Sequence, residues 1–199
     1  MLPLHAFYFL RHGETDWNKA RKLQGLTDVP LNARGEEQAE TARLIAASLG
    51  LKSIAVSSLG RARRTAEIVN RDLGLLMTHY DSLREFNVGP YEGSTDGSWL
   101  DLWFADGLVE GLESFVDFRK RVLAGMIEAL TLDHPVLIVA HGGVFWALQR
   151  LLGFQELTHL PNAVLAHFQP PSEAGGTWQI KLMDQAGLAA FDLARETSR

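Results

Sequence analysis

The stretch FYFLRHGETDWN, from Phe7 to Asn18, decides how the chain is interpreted. Its first four residues form a short apolar run bounded by polar residues, which predicts a buried β-strand. The strand ends directly on Arg11 and His12, and one or two helical turns are predicted after it. Two cationic side chains between a buried strand and a helix are the first indication of a ligand site.

A second apolar run ends in the same way. PVLIVA, residues 135–140, is continuous and β-branched, which is typical of a central strand buried on both faces. His141 and Gly142 follow it, and a helix is predicted to end at Leu152. Because ligands of open α/β sheets bind outside the carboxyl ends of the strands, we expect His12 and His141 to share a site.

Strand and helix patterns alternate through most of the chain, and the last two strands form an antiparallel edge. The predicted strands are 7–10, 54–56, 75–79, 135–140, 163–168 and 177–183, and the other helices are 16–21, 32–49, 61–73 and 113–130. This alternation predicts an α/β fold, a three-layer αβα sandwich around a mostly parallel central sheet.

The length of 199 residues fits one domain over residues 1–199, with no repeat and no linker. Residues 86–112 lose regularity, and we predict that they form a short lid insertion, called here the lid segment. Its aromatic residues either contact the substrate or form the segment's own core; they are Trp99, Trp103 and Phe104. Residues 185–199 are interpreted as a C-terminal tail of helical composition.

Composition excludes several classes of protein. A net charge of −5 argues against general binding to nucleic acid or anionic membranes, so any anion site must be local. The chain has no cysteine, which excludes disulfides, thiolate metal sites and cysteine nucleophiles. The opening lacks a basic signal-peptide region, and no apolar stretch is long enough to span a bilayer. We expect a cytoplasmic protein.

A further arginine completes the predicted anion site. Arg61 begins a helix that follows the second strand, so it can reach the same edge as Arg11. Guanidinium groups match phosphate oxygens, and helix N-termini point backbone N–H groups at anions. Each residue alone is more commonly structural. Their shared placement, with a glycine after both His12 and His141 that we expect to let a ligand approach the backbone, predicts a phosphoryl ligand.

Five ordered motifs carry a resemblance to a known family. They are RHGETDWN (11–18), QGLTDVPLNARGEEQA (24–39), SSLGRARRTAE (57–67), LREFNVGPYEGS (83–94) and AHGGV (140–144). In this order and spacing, the chain resembles the histidine phosphatase superfamily, in its phosphoglycerate mutase-like phosphatase branch, over roughly residues 6–168. Three positions depart from the usual motifs without removing a catalytic group: Ser58, Leu112 and Ala140.

The resemblance implies a role for each matching residue. His12 matches the nucleophile that becomes a phosphohistidine, and Glu85 matches the acid that protonates the leaving group. Five residues match phosphate-binding positions, and two match the substrate mouth: Arg11, Asn18, Arg61, His141 and Gly142, and then Gln24 and Gly25. The family needs no metal, and we expect no cofactor. The implied partner is a small phosphomonoester, with a homodimer left open.

The chemistry agrees with these roles. A neutral imidazole is a competent nucleophile at neutral pH when its other nitrogen is held by an acceptor. Phosphoryl transfer needs preorganised positive groups, which the two arginines and a protonated His141 would supply. Glu85 must be protonated to assist the leaving group, so we expect its pKa to be raised.

The lid segment favours hydrolysis over a cofactor-dependent phosphoglycerate mutase. From Phe86 to Phe118 there is no Lys, Arg or His, and seven residues are acidic: Glu92, Asp96, Asp101, Asp106, Glu110, Glu113 and Asp117. We expect such a lid to repel a highly anionic substrate. An inactive phosphate-binding module predicts loss of His12, Glu85 or His141, which are all present. A metal-dependent phosphatase is disfavoured because Arg11 and Arg61 would repel a cation.

Overall fold

The computed structural model describes residues 1–173, 175–183 and 189–192. One sheet contains seven strands: β1 (Phe7–Arg11), β2 (Ser53–Ser57), β3 (Met77–Tyr80), β4 (Val136–Ala140), β5 (Leu165–Gln169), β6 (Gln179–Met183) and β7 (Ala189–Asp192). Their order is β3-β2-β4-β1-β5-β6-β7. Strands β1 to β4 are mutually parallel, whereas β5, β6 and β7 add an antiparallel edge beside β1.

Helices cover both faces of this sheet. They are α1 (Asp16–Lys19), α2 (Ala33–Ala46), α3 (Gly60–Asn70), α4 (Leu100–Phe104), α5 (Phe115–Ala129) and α6 (Gly142–Leu151). Buried side chains of α2 and α3 pack on one face, and those of α5 and α6 pack on the other. The predicted three-layer αβα sandwich is therefore confirmed.

Strand β4 explains why both faces can be covered. Its residues are all fully buried; Leu137 and Val139 join the core under α2 and α3, whereas Val136, Ile138 and Ala140 join the opposite core. Successive side chains of a strand point to opposite faces, so only a continuous apolar run satisfies two cores. The central position of PVLIVA follows from this requirement.

Side-chain caps determine where several helices begin. The Asn32 side chain accepts a hydrogen bond of 2.8 Å from the Gly35 amide at the start of α2. Thr15 and Asn18 form a reciprocal capping box at α1, and Ser114 caps α5 through the Asp117 amide. Each cap satisfies an amide that the first helical turn leaves without a partner.

The helical interpretation of the C-terminal tail is wrong for residues 189–192. These residues form β7, which pairs antiparallel with β6. The physical reason is that β6 would otherwise present unpaired backbone groups along the sheet edge, and a further strand satisfies them. The rest of the predicted tail, 185–188 and 193–199, lies outside the described residues.

The lid segment contains a 3₁₀ turn at Gly89–Tyr91 and helix α4. Trp103 is fully buried and stacks on Phe86, with ring centroids 4.3 Å apart, and its indole N–H donates to the Glu113 carbonyl at 2.8 Å. Trp99 is 6 % exposed. These aromatic residues are packed and do not line the cavity at the carboxyl ends of the parallel strands: Trp99 and Trp103 belong to the main hydrophobic core on the α5 and α6 side of the sheet, and Phe104 packs against it.

No helix in the described part of the chain is both long enough and apolar enough to cross a membrane.

Candidate active site

A cavity of ≈ 150 Å³ lies at the carboxyl ends of the parallel strands. Eight of the nine predicted site residues line it: Arg11, His12, Asn18, Gln24, Gly25, Arg61, Glu85 and Gly142. The ninth, His141, is fully buried behind His12, with the two ring centroids 5.2 Å apart. We call this space the site cavity.

The pairing of β1 with β4 brings the two histidines together. Arg11 lies opposite Ala140 in the parallel register, and the His12 amide donates to the Ala140 carbonyl at 3.0 Å. The residues that follow the two strands must therefore be neighbours. Residues 129 positions apart meet here because parallel strands end at the same edge.

His12 is held as a neutral imidazole with one free nitrogen. Its Nδ1–H donates to the Gly13 carbonyl at 2.8 Å, which leaves the Nε2 lone pair available. Burial lowers the pKa of His12 well below its ordinary value, and the charges of Arg61 and Arg11 lower it further. This combination suits a nucleophile at neutral pH.

Arg11 and Arg61 are cations buried beside this imidazole. Arg11 is 8 % exposed and Arg61 is 1 % exposed. Burial lowers the pKa of Arg11 to about 10 and also lowers the pKa of Arg61. Nearby Glu85 opposes both shifts. Arg11 therefore stays charged at neutral pH, and guanidinium groups in general resist deprotonation.

Residues 24–28 form a loop at the mouth of the cavity, called here the mouth loop, and this loop holds Arg61 in place. The Arg61 guanidinium donates to the Thr27 carbonyl at 2.9 Å and to the Gly25 carbonyl at 2.8 Å. Asp28 accepts hydrogen bonds from the amides of Gly60 and Arg61 at the start of α3, and its carboxylate lies 3.7 Å from the Arg61 guanidinium. Asp28 thus aligns both the helix terminus and the arginine.

Gly25 is needed for this arrangement. Its φ is +51°, a region that residues with a side chain rarely adopt. A Cβ atom there would also lie 2.6 Å from Val88 and 2.8 Å from the Glu92 carboxylate. That carboxylate accepts from the Leu26 and Thr27 amides, so it connects the lid segment to the mouth loop.

Three buried nitrogens around the site cavity lack a hydrogen-bond partner among the described residues. They are Nε of Arg11, Nε of Arg61 and Nδ1 of His141. Buried polar groups are nearly always paired in native proteins. Arg11 and Arg61 line the cavity beside the N-terminus of α6, and His141 lies directly behind His12, so this arrangement suits a tetrahedral anion.

Glu85 is a partly buried residue that lines the site cavity. One of its oxygens accepts from the Gly143 amide at 3.1 Å, and the other accepts from the Phe86 amide at 3.2 Å. Burial raises the pKa of Glu85, and this effect outweighs the two hydrogen bonds and the two arginines. The direction agrees with the expected acid, because protonation of this carboxyl is made easier.

Gly143 makes room for that carboxyl group. A Cβ atom built on Gly143 would lie 2.1 Å from Glu85 Oε1 and 2.6 Å from the Phe86 ring. By contrast, the same atom on Gly142 would meet Arg11 at 3.5 Å, an ordinary contact. The second glycine of AHGGV therefore admits the acid.

His141 is expected to be protonated during transfer, but its surroundings in the protein favour the neutral form. Burial lowers the pKa of His141 well below its ordinary value, and Arg61, His12 and Arg11 lower it further. Its Nε2 lies 2.7 Å from the Ser57 hydroxyl. A neutral His141 is the result, because two arginines and a dry environment both oppose another positive charge.

The glycine after His12 does not serve ligand approach. A Cβ atom on Gly13 would lie 2.3 Å from the Gly35 carbonyl oxygen at the start of α2. The Gly13 amide donates to the Thr65 hydroxyl at 3.0 Å. The small residue therefore allows close packing against α2, and the sequence-based explanation is wrong at this position.

Sequence reasoning missed several residues of the site. Asn162 donates to the His12 carbonyl at 3.0 Å and to the Asn18 side chain at 3.2 Å, and His159 accepts from Arg11 at 2.8 Å. Both precede β5, the antiparallel neighbour of β1, so their loop must reach the end of β1. The position of this loop, directly before a strand that pairs with β1, was the signal from which Asn162 and His159 could have been found. Lys22 and Trp146, which line the cavity, were also missed.

The acidic residues of the lid segment and the start of α5 do not line the site cavity. Glu113 pairs with Arg121, and Asp106 pairs with Arg119, at 2.7 Å in both cases. The wall on this side is instead apolar: Leu23, Phe86, Val88, Leu100 and Trp146. The expected repulsion of an anionic substrate by an acidic lid is therefore not supported.

No group of three or more metal-binding side chains is placed to hold an ion in the parts of the chain that the structure describes.

Comparisons with known proteins agree with this geometry. Residues 7–183 match the family model of the histidine phosphatase superfamily (branch 1). The uncharacterized phosphatase PhoE of Bacillus subtilis (strain 168) is 36 % identical over 182 residues, which cover 88 % of this chain and 92 % of PhoE. The probable phosphoglycerate mutase GpmB of Salmonella paratyphi B is 38 % identical over 147 residues, 68 % of each chain.

A solved structure is similar over most of the chain. The mycobacterial glucosyl-3-phosphoglycerate phosphatase in complex with VO3 superposes with a TM-score of 0.77 at 28 % identity. The match covers 89 % of this chain and 97 % of the other.

Proposed function

Since the chain belongs to the histidine phosphatase superfamily, we propose that it is a metal-independent phosphomonoester hydrolase that works through a phosphohistidine. The observation that carries this proposal is His12, a buried neutral imidazole whose Nδ1–H is occupied by the Gly13 carbonyl. Its remaining nitrogen lies in a cavity that is also lined by two buried arginines. The substrate is a small phosphorylated metabolite.

In the first step, Nε2 of His12 attacks phosphorus, the P–N bond forms and the bond to the leaving oxygen breaks. Arg11, Arg61 and the amides at the start of α6 hold the oxygens of the transferring group, on which negative charge is spread. Protonated Glu85 gives its proton to the leaving oxygen, so that an alcohol departs. The raised pKa of Glu85 supports this role.

In the second step, water attacks phosphorus as Glu85 removes one of its protons. The P–N bond breaks, inorganic phosphate is released, and the neutral imidazole of His12 is regenerated. One carboxyl group thus acts first as acid and then as base. His141, neutral without ligand, can take up a proton when the phosphate dianion binds, because a nearby negative charge favours its charged form.

Hydrolysis is preferred here to mutase activity because few cations line the site cavity. Among the described residues, these are Arg11, Arg61 and Lys22. The first two would be engaged by the transferring phosphoryl group, which leaves a single cation for a second phosphate. The likeness to GpmB favours the alternative, a phosphoglycerate mutase, so the test must separate the two activities.

The test measures inorganic phosphate released from a panel of phosphomonoesters in the presence of EDTA. A parallel assay follows conversion of 3- to 2-phosphoglycerate with added bisphosphoglycerate. We expect chelator-resistant release from one or a few panel members. Conversion without release would instead identify a mutase. Phosphate binding without either activity would identify an inactive binding module.

The His12→Ala variant tests the nucleophile. We expect turnover to fall by at least about 10³-fold, because the variant has no imidazole with which to form the phosphohistidine. Wild-type protein quenched during turnover with alkaline detergent should carry an acid-labile phosphoryl group that the variant lacks. Circular dichroism and thermal unfolding control for the fold, and wild-type turnover in a folded variant would contradict the assignment.

A further inference from the structure

We propose that His159 is a positioning residue for phosphate binding: as a neutral imidazole, it accepts a hydrogen bond from Arg11 and orients that guanidinium. The inference rests on the proposed function, because Arg11 is the phosphate-binding group on which it acts. It concerns a loop between α6 and β5 that none of the five family-like motifs contains.

Two neighbouring acceptors occupy one end of the guanidinium. Arg11 NH1 donates to His159 Nε2 at 2.8 Å and to the Leu160 carbonyl oxygen at 2.8 Å. NH1 carries two hydrogens, so both are used. The anchoring therefore leaves the Nε and NH2 edge of the guanidinium for a ligand.

That edge faces the N-terminus of α6. A Cβ atom built on Gly142 would lie 3.5 Å from Arg11 Nε and 3.9 Å from NH2. Nε is buried and has no partner among the described residues. The His159 contact thus orients the two free donors toward the place where helix amides and a phosphoryl group meet.

The contact requires one charge state and one tautomer of His159. Arg11 can only donate, so His159 Nε2 must carry a lone pair, and the ring proton must be on Nδ1. Burial lowers the pKa of His159, and the charge of Arg11 lowers it further, which favours this neutral form. Protonation would place an N–H against an N–H and two positive charges side by side.

Among the described residues, Glu85 is the one carboxyl group that lines the site cavity with His159, and it does not affect the pKa of His159. Trp146 of α6 packs against its ring, with centroids 6.2 Å apart. The charged or titratable side chains that share the site cavity with it are Arg11, His12, Lys22, Arg61 and Glu85. Arg11 is the one that affects its charge, and part of the His159 ring remains open to solvent.

A consequence for the reaction follows. As the pH falls through the lowered pKa of His159, Arg11 loses one of its two anchoring acceptors and keeps only the Leu160 carbonyl, so phosphate binding weakens. The effect should be in KM and in the affinity for inorganic phosphate more than in kcat, because Arg11 binds the group both before and during transfer.

Nitrogen NMR of the histidine side chains tests the geometry without any turnover. His159 is assigned as the signal that disappears in His159→Gln. We expect the Nδ1–H tautomer near neutral pH and a pKa below 6.5, the ordinary value. The Nε2–H tautomer, or a protonated ring at neutral pH, would overturn the proposal.

Three variants test whether His159 controls the affinity for phosphate and its loss in acid. Calorimetric titration with inorganic phosphate is carried out from pH 7.5 to 5.5, and each variant is compared with wild type at the same pH. His159→Phe should bind about tenfold more weakly at pH 7.5, the value of one lost hydrogen bond to a charged group. His159→Gln should bind like wild type at pH 7.5 and better than wild type in acid, because its amide oxygen accepts at every pH. His167→Gln, on β5 beside Tyr8, should behave like wild type throughout.

Wild-type affinity in folded His159→Phe, or an unchanged acid loss in His159→Gln, would overturn the inference. If His159→Phe does not fold, the more conservative His159→Gln retains the pH test. Failure of the proposed function looks different, since wild type would then release no phosphate from any panel member while the tautomer of His159 could still be as described.

Discussion

His12 and His141 are two buried histidines between two buried arginines, and the structure keeps both imidazoles neutral. The nearby positive charge is permanent because it resides on guanidinium groups, whereas the histidines can react or accept a proton. An incoming phosphate dianion therefore meets a preorganised positive site without requiring a proton in advance. At the residue scale, the separation of fixed charge from titratable groups is the main property of the site.

The Glu85→Gln variant should distinguish leaving groups. We expect kcat for alkyl phosphates to fall by about 10²–10⁴-fold, because no proton is supplied to the alkoxide. With p-nitrophenyl phosphate, whose leaving group needs little protonation, we expect a loss below about tenfold. The two rates are measured side by side, and equal losses on both substrates would contradict the acid role.

Wild-type protein should show a matching dependence on pH. The pKa of Glu85 is raised by burial, and the acid is active in its protonated form. Turnover of alkyl phosphates should therefore decline as the pH rises through that raised pKa, and Glu85→Gln should lose this decline. A decline that persists in the variant would have to come from another group.

Gly143→Ala should reproduce the Glu85→Gln phenotype without changing the carboxyl group. The new methyl group would occupy the space of Glu85 Oε1, so the acid must move. We expect a loss of about 10²-fold with alkyl phosphates and a much smaller loss with p-nitrophenyl phosphate. Kinetics on both substrates, with circular dichroism for the fold, check this; unchanged alkyl turnover would show that the carboxyl tolerates displacement.

At the scale of elements, Arg121 of α5 holds the segment that carries Glu85. It pairs with Glu113 at 2.7 Å and donates to three carbonyls of that segment, those of Ser82, Arg84 and Glu85, at 3.0–3.3 Å. A single side chain therefore joins a helix of one outer layer to the acid and to the end of the lid segment.

Arg121→Met should lower the free energy of unfolding by about 2–3 kcal/mol, because several hydrogen bonds to a charged group are lost. It should also lower turnover of alkyl phosphates, since the acid loses its support. Lys120→Met is the matched control: Lys120 of the same helix pairs with Asp117 at the surface, and its loss should cost far less stability. Urea unfolding and kinetics measure both; similar effects of the two variants would contradict the role of Arg121.

At the scale of the whole molecule, the buried histidines make stability depend on pH. Burial lowers the pKa of His12 and His141 in the folded protein. In the unfolded chain both titrate near 6.5. As the pH falls through this value, the unfolded chain binds protons that the folded protein does not, so the free energy of unfolding decreases. The limit is about 1.4 kcal/mol per pH unit for each histidine.

Urea unfolding of wild type and His141→Gln between pH 7.5 and 5.5 checks this prediction. The raised pKa of Glu85 acts in the opposite direction, and other histidines contribute to both proteins. The informative quantity is therefore the difference between wild type and variant in the slope of the free energy of unfolding against pH. The variant should lose stability less steeply in acid, and parallel slopes would show that His141 does not titrate differently on folding.

Much of the fold was predictable from local patterns. Runs such as residues 135–140 predict buried strands, and caps such as Asn32 predict helix starts, because these signals depend on a few neighbouring residues. Strand β7 was missed because its residues have helical composition, whereas their backbone pairs with the neighbouring edge strand β6. The packing of the lid segment's aromatic residues against α5 was not predictable because it joins separate elements.

For the site, the sequence by itself determined which groups assemble. Arg11, His12, Arg61 and Gly142 stand at strand ends and helix starts, and parallel strands bring such positions to one edge, whereas Glu85 was assigned through the family resemblance alone. The tertiary structure alone decided their charge and orientation. The neutral state of His141, the anchoring of Arg11 by His159 and the exclusion of the lid segment's acidic residues from the cavity lining depend on burial and on contacts between distant parts of the chain, which no local pattern encodes.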